Sequence, residues 1–218
     1  MRNSEKNVRV APEKNGAYHH GDLRKALIQA ALELAAESHN WEFSLREVAR
    51  RAGVSHNAPY NHFAHKRELL SAAAAAGHEL LRDALRAAVA KVNDPRRALV
   101  KMGMAYMKFG VENASLYRLM FSASLSGPDW RPTEVIEAGV TTKALLEDIL
   151  LRGVRDGVFA TSLSRKSELQ SVTLTAWAAV HGITTFAIDG LVDLEQVSIE
   201  RLAEKIAQLT QRTEAKKH

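Results

Sequence analysis

The sequence predicts an all-α protein, with a three-helix, helix-turn-helix N-terminal domain and a larger helical bundle behind it. Three observations predict this class. Apolar residues recur along the chain at i, i+3, i+4 and i+7, the spacing of one helix face. Helix breakers such as Gly53, the Asn93-Asp94-Pro95 run and Gly157 divide these patterns into segments of ordinary helix length. Ser44 also precedes Glu47 by three residues, the spacing of a capping box in which hydroxyl and carboxylate each satisfy an orphan N–H.

Residues 1–16 carry Arg2, Lys6, Arg9 and Lys14 among Asn and Glu without periodicity and are expected to form a flexible basic arm of the kind that reaches phosphates or a minor groove. They lack the apolar stretch of a signal peptide, so export is not expected. The first helix follows YHHGDLR, with Gly21 or Asp22 as its cap and Leu23, Leu27, Ala30 and Leu34 as its apolar stripe. Trp41 and Phe43 in the next turn are expected to plug the core.

Ser44 opens a second helix of about two turns, with Leu45, Val48, Ala49 and Ala52 on one side and Gly53 as its left-handed stop. Ser55 is expected to cap a third, with Val54 and Pro59 at the staple positions. At about 100° per residue, His56, Asn57, Tyr60 and Asn61 share a polar arc, while Ala58, Pro59, His62 and Phe63 share the other. A short helix braced steeply against another, with such a face outward, has the geometry of a helix-turn-helix whose second helix enters a major groove. Asn pairs bidentately with adenine edges, and Tyr and His meet phosphates or bases. A plain helical hairpin with a solvated face has the same pattern.

Lys66 begins the next helix, where its charge and the helix N-terminus together suit a phosphate. His62 and His65 stand at i, i+3 without a third ligand nearby in sequence, so no metal site is expected. Leu69 through Ala88 continue one long, stiff helix to about Lys91, which places residues 17–66 in the DNA-binding domain and 67–218 in the second domain. Further helices are expected over Arg96 to Asn113, from SLYRLMF, over Val135 to Asp156, around TAWAAVHGITTFAI, and over Leu194 to Arg212. SLSGPDWRP reads as a turn, because Gly127, Pro128 and Pro132 break helices. Gln211 to His218 is a polar, basic end.

Met102, Tyr106, Met107, Phe109, Tyr117, Met120, Phe121 and Trp130 form an apolar and aromatic set suited to core or to cavity walls. Around TAWAAVHG, Trp177, His181, Thr184 and Ile188 share one surface, and Thr175, Ala178, Ala179 and Gly182 form a strip of small residues that lets helices approach closely. Ser171 to Ile188 contains no Asp, Glu, Lys or Arg, but its five Ser and Thr residues, His181 and Gly182 favour a helix buried in a soluble assembly over a membrane span.

The 218 residues, 46% hydrophobic, can bury a sizeable core, and the formal charge of +5 suits a polyanionic partner. The absence of cysteine excludes disulfides, thiolate metal sites and a cysteine nucleophile.

The run from Ser44 through FAHKREL resembles the DNA-binding signature of the tetracycline-repressor-like (TetR/AcrR) family, and TAWAAVHG is similar to the motif of that family's WHG-type C-terminal domain. The resemblance is specific from Tyr18 to about Leu70 and thin elsewhere. It departs at His65, where the family usually carries Ser or a similar cap. It implies an all-helical homodimer in the cytoplasm that binds a palindromic double-stranded DNA operator, usually as a repressor, and releases it when a small-molecule effector enters the C-terminal domain. No cofactor, metal, catalysis or membrane attachment is expected.

The expected DNA-binding residues are Ser44, Arg46, His56, Asn57, Tyr60, Asn61 and Lys66. The resemblance implies base contact at Arg46 and phosphate contact at Tyr60 and Lys66, whereas Asn57 and Asn61 rest on the helical arc. The expected effector contacts are Met102, Tyr106, Met107, Tyr117, Phe121, Trp177 and His181. Two other readings remain: an all-helical enzyme drawing on nine histidines, and a DNA packer that needs only charge.

Overall fold

The computed structural model describes residues 20–122, 132–194 and 196–210. Within them the chain forms α1 (His20–Ser38), α2 (Leu45–Arg51), a 3-10 turn (Ala58–Asn61), α3 (Lys66–Val89), α4 (Pro95–Glu112) and α5 (Ala114–Met120). These are followed by α6 (Thr133–Arg155), a second 3-10 turn (Thr161–Ser164), α7 (Lys166–Ile188) and α8 (Ile199–Thr210). No strand occurs among the described residues. The expected basic arm, Trp130, the Gly127-Pro128 turn and the polar end from Gln211 lie outside them.

The first three helices close over Leu27, Ala30, Ala31, Phe43, Leu45, Val48, Phe63, Leu69 and Ala72. Local chemistry fixes this arrangement. The Ser44–Glu47 capping box forms in both directions, and Gly53 takes φ +69°, a conformation that costs glycine nothing. Phe43 is buried, and Trp41 is half-buried against it at 5.8 Å between ring centroids.

Three expected boundaries are corrected. Helix α1 begins at His20, so neither Gly21 nor Asp22 is its cap. The third helix is not an α-helix from Ser55 but a 3-10 turn. Pro59 has no N–H to return to the Ser55 carbonyl, so Ala58 donates to that oxygen at 3.0 Å instead and Tyr60 donates to Asn57 at 3.1 Å. The last helix starts at Ile199 rather than Leu194, because Ser198 Oγ accepts the Arg201 N–H at 3.2 Å while Asp193 turns the chain through its carbonyl.

Helix α3 belongs to both halves of the molecule. Leu69 and Ala72 lie in the N-terminal core, Ala73 and Ala74 pack with Leu119 and Val135, and Leu81 and Leu85 enter the large C-terminal core. Close approach is built in at Gly77, where a Cβ would stand 2.8 Å from Met120 Sδ. The C-terminal core joins α3 through α8 around Met102, Tyr106, Tyr117, Leu150, Val180 and Ile206. Within this single chain α7 is buried along one side only; Leu174 and Phe186 are 58% and 51% exposed. The expectation is of burial on most sides within a soluble assembly; the single chain covers one side of the helix.

Phe63 is 2% exposed and carries the Arg24 guanidinium 5.4 Å from its ring centroid. Phe63→Ala is expected to lower stability by about 3–5 kcal/mol; urea unfolding followed by circular dichroism measures it.

Candidate DNA interface and effector cavity

The turn after α2 is short and wet on one side. Pro59 and Phe63 are buried beneath it, while His56, Asn57, Tyr60 and Asn61 are all exposed, Tyr60 by 51%. The polar and apolar arcs expected of an α-helix thus survive in a tighter turn, because the buried pair anchors the same side. Arg46 stands exposed on α2, the helix before it. Ser44 is exposed as well, but its hydroxyl donates to Glu47 Oε2 at 2.8 Å, which ties it to helix capping. Hydrogen bonds from the Ser44 backbone and side chain hold the Glu47 carboxyl below its ordinary range.

Lys66 occupies the first position of α3, with His65 at the cap position contributing no side-chain cap bond. Its ammonium lies 5.2 Å from the Phe43 ring centroid. Partial burial lowers its pKa, opposed by Glu42 and Glu47. Arg51, beside these groups, is engaged instead with Glu37 and, at 3.7 Å, with Glu33 of α1.

A cavity of about 370 Å³ lies in the C-terminal body, within the size range of small-molecule sites. Helices α3, α4, α6, α7 and α8 all contribute walls. Of the expected effector contacts, Met102, Tyr106, Phe121 and Trp177 line it. Met107 does not: it is fully buried in packing. Tyr117 and His181 are not part of the wall but stand behind it in a hydrogen-bonded group. Trp177 Nε1 donates to the Tyr106 hydroxyl at 3.2 Å, and the Tyr117 hydroxyl lies 3.1 Å from that oxygen and 2.6 Å from His181 Nδ1. Burial pushes Tyr106 up to about 12 and Tyr117 upward too, and it lowers His181. The cluster is therefore neutral at pH 7.

The sequence reading missed much of the wall: His78 and Leu81 of α3, Gly103 of α4, Ile136 and Lys143 of α6, and Ala203 of α8. Helical periodicity marks these as inward-facing, but wall and solid core share that signal. No group of three or more potential metal ligands occurs among the described residues.

Two polar contacts join the N-terminal unit to this body, beside the apolar packing of Leu32 and Trp41 against its cores. Trp41 Nε1 donates to the Ser115 carbonyl of α5 at 3.0 Å. Arg24 of α1 pairs with Glu134 Oε2, in the first turn of α6, at 3.0 Å.

A braced helix-turn-helix joined through one continuous helix to a hollow helical body defines the class of protein: an all-helical chain with a helix-turn-helix head. Residues 27–73 match the family described as bacterial regulatory proteins, tetR family, and residues 99–209 match the tetracyclin repressor-like C-terminal domain. The chain belongs to the tetR family of bacterial regulatory proteins. It is similar to the HTH-type transcriptional regulator BetI of Rhizobium meliloti (strain 1021), with 30% identity over 118 residues, 53% of this chain and 58% of that protein. The match thus spans little more than half of that relative's length. A structure of a protein of unknown function from Rhodococcus sp. RHA1 superposes with a TM-score of 0.73 at 29% identity, covering 91% of this chain and 98% of that one. The TetR family transcriptional regulator PfmR from Thermus thermophilus shares the fold, with a TM-score of 0.59 at 23% identity over 87% and 98% of the two chains.

His78 gives the cavity wall a pH signature. Burial lowers its pKa from 6.5 to about 4, against a hydrogen bond to the Met120 backbone that raises it. Between these values the unfolded chain holds a proton that the folded chain refuses, so this contribution to stability is complete above pH 6.5 and declines towards pH 4. It amounts to at most about 3 kcal/mol. The urea midpoint is expected to fall between pH 7.5 and 4.5, and to fall less in His78→Phe.

Proposed function

We propose that this chain is a cytoplasmic, homodimeric, sequence-specific DNA-binding regulator, a repressor released from a palindromic operator by a small-molecule effector. The observation that carries the reading is the exposed row His56, Asn57, Tyr60 and Asn61, braced by buried Pro59 and Phe63, with α3 running from there to the wall of the cavity. In this reading Arg46, Asn57, Asn61 and His56 face base edges, and Tyr60, Lys66 and Ser44 lie along the phosphates. Effector contact falls to Met102, Tyr106, Phe121 and Trp177 directly, and to Tyr117 and His181 through the hydrogen-bonded group behind them. Met107 supports the packing.

A second copy of the chain is supported by α7. Its exposed Leu174 and Phe186 lie on the same helix as the small residues Thr175, Ala178, Ala179 and Gly182, and nothing lies within 4 Å of a Cβ placed on Gly182. This helix is long and apolar enough to cross a membrane by length and composition, but a helix–helix interface accounts for the same exposed face. In this reading residues 17–66 form the reading head and 67–218 the effector-binding and dimerisation body, with Leu69 and Ala72 of α3 completing the head's core and the 1–16 arm available to DNA.

Binding-site selection followed by titration on the selected duplex and on a scrambled one tests the proposal. The selected motif is expected to be palindromic, with half-sites about one helical turn apart. Arg46→Ala is expected to cost about 1–3 kcal/mol on the operator and to relax one base position, while Lys66→Ala weakens binding to both duplexes and flattens the salt dependence. Equal loss on both duplexes for Arg46→Ala removes it from the base-reading set.

A further inference from the structure

We infer that Phe43 is a positioning residue for DNA binding: the face of its buried ring seats the Lys66 ammonium in one place, aimed for a phosphate. This rests on the phosphate role proposed for Lys66 above and adds the device that aims it.

Lysine is a difficult group to aim. Its stem is long and flexible, and fixing such a chain on binding costs conformational freedom, whereas a chain already held in the free protein loses little more. Here the ammonium is held. Its Nζ lies 5.2 Å from the Phe43 ring centroid, within the about 6 Å over which the negative face of an aromatic ring attracts a cation. The ring has no net charge, so the cation it seats keeps its own, and the ammonium's three N–H donors are not consumed by a single acceptor. Glu42 and Glu47 attract the same ammonium through space. Glu47 is itself fixed, because the Ser44 N–H and hydroxyl donate to its Oε2 at 2.7 and 2.8 Å.

The seat is rigid as well. Phe43 is 8% exposed and packs in one core with Leu45, Val48, Phe63 and Leu69. Trp41 lies tilted against it, and the Trp41 indole N–H donates to the Ser115 carbonyl at 3.0 Å. Leu69, three residues after Lys66 on α3, is fully buried in the core that holds Phe43. The backbone at Lys66 and the ring under its ammonium are therefore anchored in the same packing, while the lysine side chain between them stays half-exposed. Plain core packing explains the burial of Phe43, but not the cation over its face.

Fluorescence-anisotropy titration of the full-length protein with the site-selected duplex and with a scrambled one tests the inference, as a double-mutant cycle over Phe43→Leu and Lys66→Gln. Phe43→Leu is expected to weaken binding to both duplexes by about two- to tenfold for each subunit that touches DNA, and to have no further effect once Lys66→Gln is present. Damage to the fold alone would lower affinity equally in the two backgrounds. Pentafluorophenylalanine in place of Phe43 keeps a ring in the core but reverses the charge on its face. It is expected to weaken binding as leucine does, and it carries the test if Phe43→Leu does not fold. Equal losses in the two backgrounds, unchanged or tighter binding by Phe43→Leu, or full affinity with the fluorinated ring overturns the positioning role and leaves the DNA-binding reading intact. Lys66→Gln without effect on either duplex, or no binding of either duplex by the unaltered protein, removes the phosphate role itself, and the inference falls with it.

Discussion

Everything distinctive about this molecule depends on α3 being unbroken. A single helix from Lys66 to Val89 is about 36 Å long at 1.5 Å per residue, and it contributes side chains to the core under the reading head and to the core around the cavity. Its sequence makes this possible, because the alanines from Ala72 to Ala76 are the best helix formers available and present a smooth surface on every side. Small side chains also let α5 and α6 lie close, with Gly77 admitting Met120 and Leu116 where any Cβ would collide. The two domains are therefore not beads on a linker. Each has its own core, yet neither can tilt without carrying one end of the same rod.

The fold was largely legible because its signals are local. A capping box, a left-handed glycine and an aspartate before a proline act within a few residues, and Asp94 does accept the Arg96 N–H at 3.0 Å ahead of Pro95. The errors fell where two local signals compete. Ser55 is a good cap, but Pro59 withholds the N–H that would have closed the first α-helical turn, and a 3-10 turn results. Leu194 fits the apolar stripe of the last helix, but Ser198 supplies the cap and Asp193 the preceding turn.

The two candidate sites were legible to different degrees for one physical reason. The outer face of a short turn is set by the residues buried beneath it, and Pro59 and Phe63 are conspicuous in the sequence. A cavity wall is set by what fails to fill the space, which depends on how five helices meet. Met107 and Met102 have the same chemistry and lie on the same helix, yet one is packed solid and the other borders the cavity. Nothing in either residue's neighbours separates them. His78 went unnoticed for a related reason: a histidine inside an alanine-rich helix reads as a solvent-facing group until α6 and Phe121 are brought over it.

The polar ties between the N-terminal unit and the body are weak. Arg24 and Glu134 are each more than 40% exposed, so their ion pair falls in the class worth no more than about 1 kcal/mol. The Trp41 to Ser115 bond is a single part-buried hydrogen bond of similar size. In the proposed function, coupling between an effector and a DNA site typically amounts to about 1–3 kcal/mol, the same order as these two polar ties; the apolar packing of Leu32 and Trp41 adds to them. The path is short: Glu134 stands in the first turn of α6, and Val135 and Ile136 next to it already line the cavity. Glu134 thus links the cavity's rim to Arg24, and Arg24 lies over Phe63, which is buried beneath the exposed turn.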